Sequence, residues 1–150
     1  LESEKLGLFG HGSTYAGHPV ACAVALETIA IYEERDIVGH ARDLSPAFQE
    51  ALAGFADHPL VGEARGVGLV GGLELVKDKE TRRVFDAPGK AGAYCRDRAE
   101  DHGLLLRAIG DVMALCPPLV ITESEIGEMF ARLRRALDDT ATWAAGEGML

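Results

Sequence analysis

Cysteine is scarce in this sequence, and its placement excludes two classes of small protein. The three residues Cys22, Cys95 and Cys116 lie far apart and in apolar surroundings. An odd number of widely spaced cysteines fits neither a disulfide scaffold nor a zinc site built from cysteine pairs. We therefore expect three buried, reduced thiols.

Positive charge is also in deficit, with 15 Lys and Arg against 24 Asp and Glu and a formal net charge of -9. This balance repels phosphate backbones and anionic lipids, which argues against nucleic acid as a partner. No run approaches the roughly 20 apolar residues of a membrane span, and residues 1–5 lack the order of a signal peptide. We expect a soluble cytoplasmic protein with no membrane partner.

Metal-binding patterns are missing as well. The acidic pairs Glu33-Glu34 and Asp138-Asp139 are expected at helix ends, solvated and without an acid-base role. The five histidines show no spacing such as H-E-x-x-H, so no metal is predicted and each is expected at the surface or in a loop. They are His11, His18, His40, His58 and His102.

What the sequence does contain is a series of helical and strand patterns. Pro19 suits a first helical turn, Gly103 suits a left-handed cap, and Thr122 and Glu125 have the spacing of a capping box. The order helix, helix, strand, helix, strand, strand, helix predicts a small α+β fold. Predicted helices cover 18–35, 36–56, 89–102 and 123 to about 138; predicted strands cover 66–76, 104–109 and 112–115; the last ten residues are expected to form a loose tail.

A glycine pattern between Gly66 and Gly71 satisfies a bare G-x-G-x-x-G, with Asp86 twenty residues beyond Gly66. This could indicate a dinucleotide site. That fingerprint requires a helix that begins inside it, whereas residues 73–76 continue as a strand. We therefore reject a dinucleotide site.

The start of the chain indicates a piece of something longer. Leu1 is not Met, and a glycine-rich loop follows within ten residues. The predicted helix from His18 is apolar almost all round, so protein must cover it on most sides. We expect a larger neighbour to provide that cover.

Residues 9–26, FGHGSTYAGHPVACAVAL, resemble the phosphate loop and following helix of class III aminotransferases nearly position for position. These are fold-type-I enzymes that use pyridoxal 5'-phosphate. Residues 63–75 look like the first strand of the family's small domain, and residues 103–122 look like its terminal hairpin. The sequence YAGHP at 15–19 is similar to that of the family branch that acts on ω-amino acids and amines with pyruvate.

This resemblance implies two domains and a dimer. Residues 1–35 would end the large cofactor-binding domain and contain a long interdomain helix. Residues 36–150 would form the C-terminal small domain, a small antiparallel sheet covered by helices. Since the phosphate loop of these enzymes enters the active site of the other subunit, we expect a homodimer or a larger homo-oligomer.

Three binding residues follow from the same resemblance. Ser13 and Thr14 would donate hydrogen bonds to the cofactor phosphate, because hydroxyl and backbone N–H groups suit a dianion. The alternative, from spacing alone, is an ordinary loop in which one of these hydroxyl groups caps a helix. Arg107 matches the arginine that swings in to hold a substrate carboxylate. Its alternative is an edge-strand arginine that points to solvent.

The chemistry of the family also needs a lysine that forms an imine with the cofactor, and none matches. The four lysines are Lys5, Lys77, Lys79 and Lys90, and the family's lysine lies upstream of the phosphate loop. No catalytic residue is therefore assigned, and the isolated chain is expected to be inactive.

The intact protein is expected to transfer an amino group between an amine or ω-amino acid and a 2-oxo acid. Another class III activity, such as an aminomutase, racemase or decarboxylase, stays open because one scaffold hosts many reactions. A non-catalytic dimerisation module from a truncated gene is the alternative from a different class.

Overall fold

A computed structural model describes residues 12–150 of the chain, which divides into two compact units, Leu1–Ile37 and Val38–Leu150. The expectations for Lys5, His11 and the start of the phosphate-loop match lie outside the described residues. The regular elements are α1 Pro19–Glu34, α2 Ile37–Ala53, a 3-10 helix at Gly54–Asp57, β1 Val61–Val67, β2 Val70–Leu75, α3 Lys90–Asp101, β3 Arg107–Ile109, β4 Val112–Leu115 and α4 Glu123–Gly146.

Helix α1 forms where the Ala-rich pattern predicts it. Pro19 occupies the first helical turn, where its missing N–H costs no hydrogen bond and its fixed φ suits the helix. None of its residues is buried, and Val20, Val24 and Leu26 are each more than 60% exposed. The predicted helix is confirmed, and these apolar side chains are exposed.

The four strands form one antiparallel sheet in the order β1-β2-β4-β3. The predicted single strand at 66–76 is wrong, because the chain turns between Val67 and Val70, which pair across a tight hairpin. Gly68 has φ +60°, which a glycine adopts without strain. Apolar residues on both sides of the turn made two strands look like one.

One face of this sheet forms the core of the second unit. Leu73 and Met113 are register partners and both are fully buried. Helices α2, α3 and α4 add apolar side chains to the same cluster, which include Phe48, Leu52, Cys95, Ala99, Phe130, Leu133 and Leu137. The α+β class with a small antiparallel sheet and covering helices is confirmed.

The ends of α3 and α4 follow local sequence signals. Gly103 has φ +77° and donates to the Glu100 carbonyl, while Leu104 donates to Ala99, which completes a Schellman motif. Thr122 accepts the N–H of Glu125, and the Glu125 side chain accepts the N–H of Thr122. The predicted left-handed cap and the predicted capping box are both confirmed.

The expected loose tail is wrong. Helix α4 continues to Gly146, eight residues beyond the predicted end at Asp138. Trp143 stacks on Tyr94 of α3 with ring centroids 4.1 Å apart and 7° between the planes. Lys90 lies 5.2 Å from the Trp143 ring, so the last turns pack on α3 rather than fray.

Candidate functional site

The Ser13-Thr14 pair precedes α1 in an exposed turn. Ala16 donates its N–H to the Ser13 carbonyl at 3.0 Å, and His18 donates to the Tyr15 carbonyl at 3.2 Å. Both hydroxyl groups lie on exposed residues. The turn therefore presents two hydroxyl donors close to the start of a 16-residue helix.

The N-terminus of α1 has no side-chain cap. His18 is the N-cap residue, and its ring makes no capping hydrogen bond. Backbone N–H groups in a first helical turn have no intrahelical acceptor and carry the positive end of the helix dipole. An anion near Ser13 and Thr14 would meet both the hydroxyls and this helix end.

Arg107 begins β3, the edge strand of the sheet, and its side chain is exposed. Its register partner on β4 is Ala114, and the partner of Ala114 on β2 is Gly72. Among residues 12–150, no carboxylate or hydrogen-bond acceptor engages the Arg107 guanidinium. The row of the sheet that contains Arg107 therefore continues with two small residues.

An apolar cavity of about 440 Å³ adjoins Arg107. Arg107 is its one charged lining residue within the described part of the chain. A ligand there would meet a single cation at the edge of an aliphatic wall. The wall consists of Leu104, Leu105, Leu106, Ala114, Leu115, Cys116, Pro117, Pro118, Ile121 and Met129.

The Arg107 register was accessible from the sequence. A two-residue turn at Gly110-Asp111 pairs 109 with 112 and hence 107 with 114, and this is the register observed. The predicted hairpin is thus confirmed, although β3 begins at Arg107 rather than at Leu104. Ala114 as the neighbour of Arg107 was missed, because the register was not followed to its partner.

The described lysines all have structural partners. Lys77 pairs with Asp86 at 2.7 Å. Lys79 donates to the carbonyls of Ala56 and His58, and Lys90 lies over Trp143 and 3.5 Å from Glu147. Each belongs to the Val38–Leu150 unit.

Two histidines pair with neighbouring carboxylates of α4. His58 is 3% exposed and its Nε2 lies 3.4 Å from Asp138 Oδ1, while His102 Nε2 lies 2.8 Å from Asp139 Oδ2. Burial lowers the pKa of His58, and Asp138 partly offsets this. The expectation of a helix end for Asp138-Asp139 is wrong, because α4 continues to Gly146 and both residues lie inside it.

Other histidine and cysteine expectations need correction. His40 lies within α2, part-buried, and its Nε2 is 2.8 Å from the Ile121 carbonyl, so it is not in a loop. Cys95 is buried as expected, but Cys22 and Cys116 are exposed. The apolar neighbours of Cys22 and Cys116 in the sequence do not cover them within this chain.

The Gly66–Gly71 segment lies in the β1–β2 hairpin, and no helix begins there. The helix that a dinucleotide fingerprint requires inside the glycine pattern is therefore not found at this position. In residues 12–150 no helix is both long and apolar enough to cross a bilayer.

Comparison with known proteins decides the family. The model of the class III aminotransferases matches residues 3–137. The chain belongs to the class III aminotransferases. The putrescine–pyruvate aminotransferase of Pseudomonas aeruginosa is 51% identical over 136 residues, which are 90% of this chain and 30% of that protein. The chloroplastic gamma aminobutyrate transaminase 3 of Solanum lycopersicum is 46% identical over 139 residues, 93% of this chain and 27% of that protein.

Solved structures agree with this class III assignment. The ω-transaminase of Pseudomonas jessenii, solved in complex with PMP, superposes with a TM-score of 0.84 at 48% identity. The match covers 95% of this chain and 32% of the ω-transaminase. The chain thus spans about a third of the length of the aminotransferases that it resembles.

Proposed function

We propose that this chain is the C-terminal part of a pyridoxal-phosphate-dependent aminotransferase that moves an amino group between an amine or ω-amino acid and a 2-oxo acid. The observation that carries the proposal is the class III match over residues 3–137, together with a free arginine at an apolar cavity. In this proposal residues 1–35 end the large cofactor-binding domain, and residues 36–150 form the small domain.

The cofactor phosphate is assigned to Ser13 and Thr14. Two exposed hydroxyl groups and the uncapped N-terminus of α1 offer the donors and positive potential that a phosphate dianion needs. When bound, pyridoxal phosphate supplies an electron sink for the amino transfer. The contribution of this chain is to hold and orient the phosphate end of the group.

The substrate carboxylate is assigned to Arg107. A guanidinium binds a carboxylate through two parallel hydrogen bonds, and Arg107 has no competing acid among the described residues. Its register partner on β4 is the small residue Ala114. Both 2-oxo acids and ω-amino acids carry the carboxylate that such a site would bind.

The two half-reactions of the complete enzyme provide the test. Arg107→Gln should lower kcat/KM for an ω-amino acid donor roughly 10- to 100-fold, the value of a charge-assisted hydrogen bond, and leave a carboxylate-free amine donor within about threefold. Each donor is followed in the absence of oxo acid through the absorbance change of the cofactor. Equal losses of kcat/KM with both donors would contradict a role for Arg107 in carboxylate binding.

Arg65→Gln is the matched control. Arg65 lies on the same sheet and forms ion pairs with Glu63 and Glu74 at 3.2 and 3.0 Å. Exposed pairs of this kind contribute only about 0–1 kcal/mol. Its substitution should leave both donors unchanged, and a change in donor preference there would indicate a general effect of charge.

We also propose that the 150-residue chain alone does not transaminate. Lys77, Lys79 and Lys90 each have a structural partner in the second unit, which supports an imine lysine elsewhere in the full protein. The chain is mixed with pyridoxal phosphate, reduced with borohydride and examined by mass spectrometry. A specific adduct on one lysine would refute this proposal.

The assembly is proposed to be a homodimer or a larger homo-oligomer. The apolar helix α1, none of whose residues is buried, supports this, because such a surface is normally covered by protein. Analytical ultracentrifugation tests it, and a clean monomer counts against it. Free Cys22, Cys95 and Cys116 support a reducing compartment, and we propose the cytoplasm.

A further inference from the structure

Residues 54–60, the corner that leads from the 3-10 helix to β1, contain a buried histidine in a defined tautomer. His58 is 3% exposed, and its Nδ1 accepts the backbone N–H of Leu60 at 3.2 Å. A ring nitrogen that accepts a hydrogen bond is unprotonated. The neutral ring therefore carries its proton on Nε2.

The protonated nitrogen lies against helix α4. Nε2 is 3.4 Å from Asp138 Oδ1, and within the described residues it makes no aligned hydrogen bond. Asp138 is 62% exposed and keeps its own contact with water. The ring is thus enclosed by protein but only loosely satisfied at Nε2.

The charged groups around the ring do not all favour its protonation. Burial lowers the pKa of His58, Asp138 opposes that shift, and Arg134 and Lys79 lower the pKa further. Asp57, the preceding residue in the chain, is exposed. The folded corner therefore favours the neutral ring.

Protonation would break one of the contacts that hold the corner, the hydrogen bond from Leu60 to the ring. A proton on Nδ1 places two N–H groups head to head, so Leu60 loses its acceptor. The His58 carbonyl accepts from Val61, and the Leu60 carbonyl accepts from Val76 at the end of β2. The backbone on both sides of the Leu60–ring hydrogen bond is thus linked to the start of β1 and to the end of β2.

We propose that residues 54–60 form an acid-operated latch, in which protonation of His58 expels the ring from its site and releases the corner from α4 and from the end of β2. The rest of the core, built around Leu73, Met113 and Leu133, stays folded. In the open corner the ring is solvated and titrates near 6.5, its ordinary value. Below that pH the open form binds the extra proton, so opening increases as pH falls.

Hydrogen exchange of the intact protein, read by mass spectrometry on peptides that cover residues 55–63, provides the test. After correction for intrinsic exchange, protection should fall about tenfold per pH unit below about pH 6.5, until His58 protonates in the closed form. Peptides from β4 should keep their protection. Protection at 55–63 that does not change with pH would overturn the latch.

Two variants separate the latch from general acid destabilisation. His58→Gln keeps an acceptor for Leu60 and a donor for Asp138 but does not titrate, so the pH response at 55–63 should disappear. His102→Gln removes the other carboxylate-paired histidine, which lies against Asp139, and should leave the response unchanged.

A direct titration covers the case in which His58→Gln does not fold. Exchange at the ring C2 hydrogen gives the pKa of His58 in the wild-type protein. A pKa below the ordinary value supports the latch, whereas a value at or above it would overturn the proposal.

Discussion

The carboxylate of Asp111 accepts the backbone N–H of Gly92 at 2.9 Å, and its second oxygen accepts that of Gly89 at 2.7 Å. Asp111 lies in the β3–β4 turn, whereas both donors lie at the N-terminus of α3. The first turn of this helix is thus capped by a residue from a hairpin that follows it in the chain. The same hairpin carries Arg107, so the cap also fixes the strand that positions the arginine.

Asp111→Ala should lower the free energy of unfolding by about 1–2 kcal/mol, because two N–H groups lose their acceptor and the helix dipole loses a negative charge. Urea unfolding followed by circular dichroism measures the change. Asp97→Ala is the control, since Asp97 is exposed and pairs only with its neighbour Arg96. Equal effects of the two substitutions would contradict a capping role for Asp111.

Gly92→Ala should also destabilise the protein, although alanine normally favours a helix by about 1 kcal/mol over glycine. A Cβ at Gly92 would lie 2.1 Å from the Gly110 carbonyl oxygen and 3.0 Å from the Asp111 Cα. Both are backbone atoms, so either the helix or the hairpin must move. Thermal unfolding should show a lower Tm.

The control for Gly92 is Gly127→Ala in α4. A Cβ there meets nothing within 4 Å, so this variant should gain about 0.5–1 kcal/mol from helix propensity alone. The two substitutions should therefore have opposite signs. A stabilised Gly92→Ala would show that the hairpin does not pack closely on α3.

Trp143→Ala should destabilise the protein by about 1–3 kcal/mol and fray the end of α4, because the stack on Tyr94 and the contact with Lys90 are lost. Hydrogen exchange over residues 140–147 would show the fraying. Thr142→Ala, one residue away and exposed, should leave exchange there nearly unchanged. Undiminished protection in the Trp143 variant would mean that the stack does not hold the helix end.

Cys95 and Cys116 should differ strongly in their reaction with thiol reagents. Burial raises the pKa of Cys95 to about 11, with Thr140 partly offsetting the shift, whereas Cys116 is exposed. At pH 8 the thiolate fraction of Cys95 is therefore on the order of one in a thousand. Mass spectrometry of the alkylated native protein should show Cys116 modified and Cys95 intact.

Denaturation provides the control for this prediction. In denaturant all three cysteines should react, and Cys116→Ser should remove the corresponding fast site. Rapid modification of Cys95 in the native protein would show that the α3–α4 contact opens on the timescale of the reaction.

Local signals account for the parts of the fold that could be predicted from the sequence. Pro19, Gly103 and the pair Thr122 and Glu125 act within a few residues of their own positions, so their effects are visible in a short window. The turn at Gly110-Asp111 likewise specifies its own register. Elements with such signals were placed within a few residues.

The missed features depend on residues that are distant in the chain. The end of α4 is held by Tyr94 of α3, and His58 lies against Asp138, which is distant from it in the chain. Strand β1 was hidden because its glycines and charges give little apolar alternation. No window of sequence contains both members of such pairs.

The candidate site likewise has some features that the sequence predicts and others that it does not. The exposure and register of Arg107 follow from an edge strand and a two-residue turn. The roles of Ser13, Thr14 and Arg107 rest on resemblance, because a hydroxyl pair or a lone arginine has many uses in other proteins. The cavity beside Arg107 depends on how Ile121 and Met129 pack, and no local pattern predicts that.

Within residues 12–150, the order β1-β2-β4-β3 leaves the outer edges of β1 and β3 unpaired, and such edges can template intermolecular sheet growth. On β1 the register shifts between Val61 and Glu63, and the exposed Glu63 and Arg65 place charge along the border. The edge strand β3 is only three residues long and begins with Arg107. The arginine proposed to bind substrate is thus also a charge on a strand edge, and we expect an apolar residue in its place to favour edge-to-edge aggregation.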